Sequence, residues 1–425
     1  MVIGAGDSNK KLSDTEVENI VRQAFENSDL DGKSVLVLIP DGTRTMPMGL
    51  MFSLFEKYLQ NRVTKLDYLV ALGTHQPMTD AQLSKLVGRP VVDGKAGFSH
   101  VYNHLWNKKE TFTQIGTITA EEVNQTSNGL LTMEVPVRLN KMILEYDHII
   151  VCGPVFPHEV VGFSGGNKYF FPGIAGAEII NFTHWLGALI TNYEIIGAGY
   201  TPVRAIIDKA AAFIKQPVTC FGLVVTHEGI HGLYYGTAQE SWEAASHLSA
   251  QVHIHYVEAP YKKVLSIMPT LYDDIWTAAK GMYKMEPVIA DDGEVIIYAP
   301  HITEVSYTHG KILDEIGYHC RDYFAKQWAQ FKHYPWGVLA HSTHLRGLGI
   351  YDPVTKIERL RIQVTLATGI SKERCEKIGL GYLDPKTVNL DNYLNKEDQG
   401  ILVIPRAGEM LYRLKNATIN KNFGR

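Results

Sequence analysis

Short apolar runs that each stop at a glycine- or proline-bearing polar segment constrain what this chain can fold into. Ser34-Val35-Leu36-Val37-Leu38-Ile39 shows no polar alternation, which suits a strand buried on both faces, and it breaks at Pro40-Asp41-Gly42. Gly49 to Asn61 follows, with Met51, Leu54, Phe55, Tyr58 and Leu59 on one helical face. The run from Lys65 to Leu72 stops at Gly73-Thr74-His75, and Asp80 is the expected cap of a helix reaching Val87. A third run, His148 to Val151, stops at Gly153-Pro154. Strands separated by helical segments predict a parallel sheet with crossover connections. Ligands bind such sheets beyond the carboxyl ends of the strands. Asp41, Arg44 and His75 stand there, and His158 follows the third strand closely.

The alternation continues through an apolar strand at 217–225 and a helix from Thr237 to Gln251. It restarts after Ala259-Pro260 with a helix from Asp274 to Met285 and a strand from Glu294 to Tyr298. A domain boundary is therefore expected near residue 262, giving domains 1–262 and 263–425, both α/β with mainly parallel sheets. The 425 residues, 45% hydrophobic and 20% charged, suffice for large cores without disulfides, and the cysteines form no C-x-x-C pair. A formal net charge of -4 and the lack of a basic tract argue against nucleic acid and membrane surfaces as partners. The first residues carry Asp7, Lys10, Lys11 and Asp14 rather than the apolar stretch of a signal peptide. No apolar run approaches the roughly 20 residues that span a bilayer, so the expected address is cytoplasmic.

The densest polar segment runs from Pro157-His158-Glu159 through Gly162-Phe163-Ser164-Gly165-Gly166-Asn167-Lys168 to Pro172-Gly173. Glycines let backbone N–H groups approach an anion, and a lysine after such a turn can pair with phosphate or act as a nucleophile. His184 follows in Asn181-Phe182-Thr183-His184-Trp185, and imidazole is a ligand that suits nickel. Arg44, in Asp41-Gly42-Thr43-Arg44, can clamp a carboxylate or simply pair with Asp41. His75 stands where a base could act. His227-Glu228-Gly229-Ile230-His231 matches the H-E-x-x-H helix motif and, read literally, suggests a zinc-dependent hydrolase. Gly229 and the flanking β-formers instead predict strand–turn–strand.

Taken together, Asp41-Gly42-Thr43-Arg44, Gly73-Thr74-His75, Pro157-His158, Gly162 to Lys168, Pro172-Gly173 and His184 resemble the nickel-pincer-nucleotide-dependent lactate racemases and related α-hydroxy-acid epimerases. The resemblance covers most of the chain and is best from residue 36 to residue 300. It implies an active site in the cleft between the two domains, the first binding cofactor and the second contributing substrate contacts. It also implies an isomerase that inverts C2 of an α-hydroxy acid, lactate or a longer sugar acid. The cofactor would be pyridinium-3-thioamide-5-thiocarboxylic acid mononucleotide with nickel, joined to Lys168 through a thioamide and supplied by cofactor-synthesis enzymes. His184 would bind the metal, and His75 and His158 would be the two bases. Asp41, Thr43, Gly165 and Gly166 would hold the nucleotide, and Arg44 and Lys280 the substrate carboxylate.

The chain departs from the family pattern at Thr45, where proline is frequent, at Gln76, where arginine is usual, and at Thr277, where the lactate enzyme has a glutamine. The shorter Thr277, with the hydrogen-bonding aromatics Tyr169 and Trp185 in site-lining segments, leads us to expect a substrate longer than lactate. A cofactor-less binding protein is the remaining alternative, and the joint presence of His75, His158, Lys168 and His184 speaks against it.

Overall fold

The structure, a computed structural model, describes residues 2–416. The chain forms two compact units. The first comprises the chain up to Phe156 with Phe163–Ile180 and Arg204–Val252, and the second Pro157–Gly162, Asn181–Val203 and the chain from His253 onward.

The first unit is built on eight strands: β1 (Ile3–Gly6), β2 (Ser34–Ile39), β3 (Lys65–Val70), β4 (Lys95–Ala96), β5 (Ser99–Asn103), β6 (His148–Pro154), β7 (Val218–Thr226) and β8 (Gly229–Gly236). Their order across the sheet is β1-β8-β7-β6-β2-β3-β5-β4. The central strands β7, β6, β2, β3 and β5 are parallel, and the pairs at both edges are antiparallel. The mixed α/β fold with a mainly parallel central sheet is thus the one that the strand pattern predicts. Phe25, Phe55, Phe221 and Tyr235 pack beside the sheet with ring centroids 4.6–5.2 Å apart in sequence of contact.

The local expectations need adjustment at several points. Thr79, not Asp80, caps the helix Asp80–Val87: its hydroxyl accepts the Gln82 N–H while the Gln82 side chain returns to the Thr79 N–H. β6 runs three residues past Val151, because Cys152, Gly153 and Pro154 stay in register with Phe221, Gly222 and Leu223. The helix expected from Asp274 to Met285 is two short ones, Ile275–Ala278 and Lys280–Tyr283. His227 and Glu228 form the turn between β7 and β8. Glu228 pairs with Lys11, and the His231 side chain lies on a strand. The two histidines therefore do not share a helical face, which removes the physical basis of a zinc-protease reading.

The second unit holds a five-stranded, wholly parallel sheet: β9 (Tyr261–Ile267), β10 (Ile289–Ala299), β11 (Gln363–Thr368), β12 (Gly381–Tyr382) and β13 (Ile401–Ile404), in the order β12-β11-β10-β9-β13. No helix among the described residues is long and apolar enough to cross a membrane.

One close approach in the first unit positions the glycine-rich segment. Tyr169 ends the short 3-10 helix Gly166–Tyr169 and is buried against β6. A Cβ at Gly153 would sit 1.6 Å from its hydroxyl oxygen. Gly153→Ala should therefore expel Tyr169 from its seat and lower the stability of the first unit by about 1–3 kcal/mol, the usual cost of overpacking. Urea denaturation measures it, and an unchanged midpoint would show that the segment is anchored elsewhere.

Candidate active site

β2 and β3 are parallel neighbours with Ile39 opposite Val70, so the loops that leave their carboxyl ends emerge side by side. This brings Asp41 to His75. The Asp41 Oδ2 lies 2.5 Å from His75 Nδ1, while Oδ1 accepts the Thr43 N–H at 3.0 Å and its hydroxyl at 2.6 Å. Asp41 is only 6% exposed. Burial pushes its carboxyl up, but the charges of His75 and Arg44 and the bonds from His75 and Thr43 outweigh that and hold it well below the ordinary range. The carboxylate is therefore ionised and can only accept. The proton of neutral His75 is accordingly on Nδ1, leaving the lone pair on Nε2, the arrangement a base needs. Arg44 donates to the Thr43 hydroxyl at 2.6 Å and its guanidinium lies 5.9 Å from the Phe156 ring centroid.

The glycine-rich segment is held by bonds that sequence patterning does not reveal. Ser164 donates to the Pro154 carbonyl at 2.9 Å and receives the Phe156 N–H at 3.0 Å. Gly165 and Gly166 have φ of 84° and 58°, conformations that favour glycine. The buried Arg204 donates to the carbonyls of Gly165 and Phe163 and stacks on Trp242 at 4.4 Å. Asn167 is tied to Asp208 at 2.9 Å. Lys168, half-buried, projects from the 3-10 turn so fixed. The Gly73 N–H donates to the Gly173 carbonyl at 2.9 Å, which joins this segment to the loop carrying His75. The first unit thus gathers Asp41, Thr43, Arg44, His75 and the Lys168 segment. Arg204 was missed because nothing in its spacing marks it, and Ser164 stood in the glycine-rich segment without an expected role.

In the second unit His158 is buried, its Nδ1 receiving the Val160 N–H at 3.1 Å and standing 3.3 Å from Glu159 Oε2. Glu159 stood in the densest polar segment of the sequence without an expected role. Burial pushes its carboxyl up, yet the facing His158, Lys280 and His344 hold it below the ordinary range. Lys280, 8% exposed, donates to the Thr277 carbonyl at 3.3 Å and lies 5.1 Å from the Tyr272 ring centroid. The Asp274 carboxylate caps the helix Ile275–Ala278 by accepting the Thr277 N–H at 3.0 Å, and it also accepts the Thr277 hydroxyl at 2.9 Å. His184 is carried by the helix Ala177–Ile190. Its neighbour Trp185 is buried and stacks on Trp328 at 4.9 Å. Trp185 and Tyr169 are thus buried and packed against neighbouring elements. His344 is buried with neither ring nitrogen hydrogen-bonded, and burial, opposed by Glu159 and reinforced by His184, brings its pKa down to about 4.

Residues 6–196 match the family model described as the lactate racemase N-terminal domain. The lactate racemase of Thermoanaerobacterium thermosaccharolyticum is 27% identical over 300 residues, 66% of this chain and 65% of its own length. That of Lactiplantibacillus plantarum is 27% identical over 192 residues, 43% of this chain and 41% of its own. The matches therefore span just under two thirds of the first of these relatives and about two fifths of the second. A crystal structure of a protein from Thermotoga maritima superposes with a TM-score of 0.89 at 30% identity, covering 97% of this chain and 100% of that one. The lactate racemase apoprotein of T. thermosaccharolyticum superposes with a TM-score of 0.69 at 20% identity, covering 95% and 93%, a likeness of fold. The glycine-rich segment and both histidine loops lie within residues 6–196, and this part of the chain matches the lactate racemase N-terminal domain family.

Proposed function

We propose that this chain is an isomerase that inverts C2 of a small α-hydroxy acid with a nickel-pincer nucleotide held on Lys168. The observation that carries the reading is the ionised Asp41 fixing His75 through Nδ1, which leaves the lone pair on Nε2, in a loop bonded to the segment that bears Lys168. The names of the relatives point the same way.

The residues suit the group chemically. Lys168 supplies an amine for covalent attachment, His184 an imidazole for nickel, and the Gly165-Gly166 turn backbone N–H groups for an anion. Asp41 and Thr43 would meet a ribose hydroxyl better than a phosphate, since a carboxylate repels an anion. When bound, the nucleotide supplies the hydride acceptor that no side chain provides. The C2 proton of a hydroxy carboxylate is very weakly acidic, because its removal would place an anion beside the carboxylate. Loss of hydride together with the hydroxyl proton leaves a planar ketone instead, which can be rebuilt from either face. His75 and His158 take or return that hydroxyl proton, one for each enantiomer. Arg44 and Lys280 hold the carboxylate, and Thr277 bounds the third substituent. The substrate would be lactate or a longer hydroxy acid.

Three outcomes are expected. Protein made with the cofactor-synthesis enzymes should carry a mass adduct that Lys168→Ala abolishes, whereas His184→Ala should lose nickel and keep the adduct; a fully active Lys168→Ala defeats the attachment. In Asp41→Asn, the Thr43 N–H selects the amide oxygen and turns the NH2 toward His75, so the imidazole proton moves to Nε2 and the base is lost. The kcat should drop about 10²- to 10⁴-fold with nickel unchanged, and an undiminished kcat refutes the pairing. Lastly, kcat/KM for D-gluconate should exceed that for D-lactate on one loaded preparation; a preference for lactate ends the longer-substrate idea alone.

A further inference from the structure

We propose that Glu159 is a positioning residue that lets His158 change from a hydrogen-bond donor into a base by accepting a hydrogen bond from its Nδ1–H. The inference rests on the reading of His158 as one of the two bases. A backbone N–H can only donate, so the 3.1 Å contact from Val160 means that Nδ1 of His158 carries no proton in this structure. Neutral His158 then bears its proton on Nε2, which has no lone pair to offer a substrate hydroxyl. His75 is arranged the opposite way, with Nδ1–H already on Asp41.

To act as a base at Nε2, His158 must hold a proton on Nδ1 and give up the Val160 contact. Glu159 Oε2, 3.3 Å from Nδ1, is placed to accept that N–H. Its side chain is 19% exposed and faces three cationic or ionisable groups: His158 itself, Lys280 and His344. The exchange passes through the imidazolium: Nδ1 takes a proton from solvent, the Nε2 proton is released to solvent, and the neutral ring keeps its Nδ1–H on Glu159, so that Nε2 can take the hydroxyl proton. The resulting imidazolium is balanced by the carboxylate, and the proton leaves again from Nε2. Glu159 never receives a proton. Two ring states, one tied to Val160 and one to Glu159, give His158 both halves of its work.

The test uses full-length, cofactor-free protein labelled with 15N-histidine, in which ring nitrogen shifts report tautomer and protonation; the His158 signals are those missing from His158→Asn. Neutral wild-type protein should show the proton on Nε2. Glu159→Gln should lower the pH midpoint of His158 by about 1–3 units, the usual effect of a nearby opposite charge, and Glu159→Asp should keep most of it. If Lys280 without a counter-charge unfolds Glu159→Gln, the comparison of Lys280→Met with Lys280→Met/Glu159→Gln decides in its place. A His158 midpoint that ignores loss of the Glu159 charge overturns the proposal. In cofactor-loaded enzyme Glu159→Gln should lower kcat about 10- to 100-fold with little change in KM, as when other histidine-orienting partners are removed. A loaded enzyme inert on every hydroxy acid would remove the catalytic reading while leaving the titration result standing.

Discussion

An ionised carboxylate held almost out of water organises the first unit's polar centre. Asp41 could not remain charged at 6% exposure without compensation, because desolvation disfavours the anion. Compensation comes from three directions at once: the Thr43 backbone and hydroxyl, the His75 ring and the Arg44 guanidinium. Each of those contacts also fixes its donor. The loop, the base and the arginine are therefore consequences of one buried charge, and the parallel register of β2 with β3 is what makes the contact possible.

The Lys168 segment follows a different logic, in which sterics dominate. Tyr169 seats on the bare backbone of Gly153, Gly165 and Gly166 turn where side chains are disfavoured, and Arg204 gathers the carbonyls of Phe163 and Gly165 from behind. A guanidinium with rigid forked donors suits that task better than an ammonium would. Its burial against Trp242 keeps the fork from swinging out to solvent. The place of a lysine carried on such a turn is set by backbone geometry.

The second unit balances charge more sparingly. One carboxylate, Glu159, faces Lys280, His158 and His344, and burial keeps His344 neutral in spite of it. Where the first unit secures its histidine with a short bond to Asp41, the second leaves His158 on a backbone donor with a carboxylate in waiting. The same pair of residue types is thereby set in two different protonation arrangements.

How much of this was legible beforehand follows from what each feature depends on. Unbroken apolar runs such as Ser34 to Ile39 can only be stable when both faces are covered, so the parallel α/β fold was written in local composition. The glycine-rich segment and the histidines past strand ends were legible for the same reason, since backbone freedom and strand termination are local properties. The helix cap at Thr79 and the turn at His227-Glu228 hinge on residues a few positions away, and the sequence reading came close to them, whereas the continuation of β6 to Pro154 depends on pairing with β7, far along the chain. By itself, then, the sequence determined the strands, the breaks and the chemistry-bearing residue types. Only the tertiary structure decided that Asp41 closes on His75, that Arg204 holds the turn before Lys168, that Tyr169 and Trp185 are buried and packed, and which nitrogen of His158 is free of a proton. Those outcomes depend on distances between residues far apart in the chain and on burial, and neither is encoded in spacing along it.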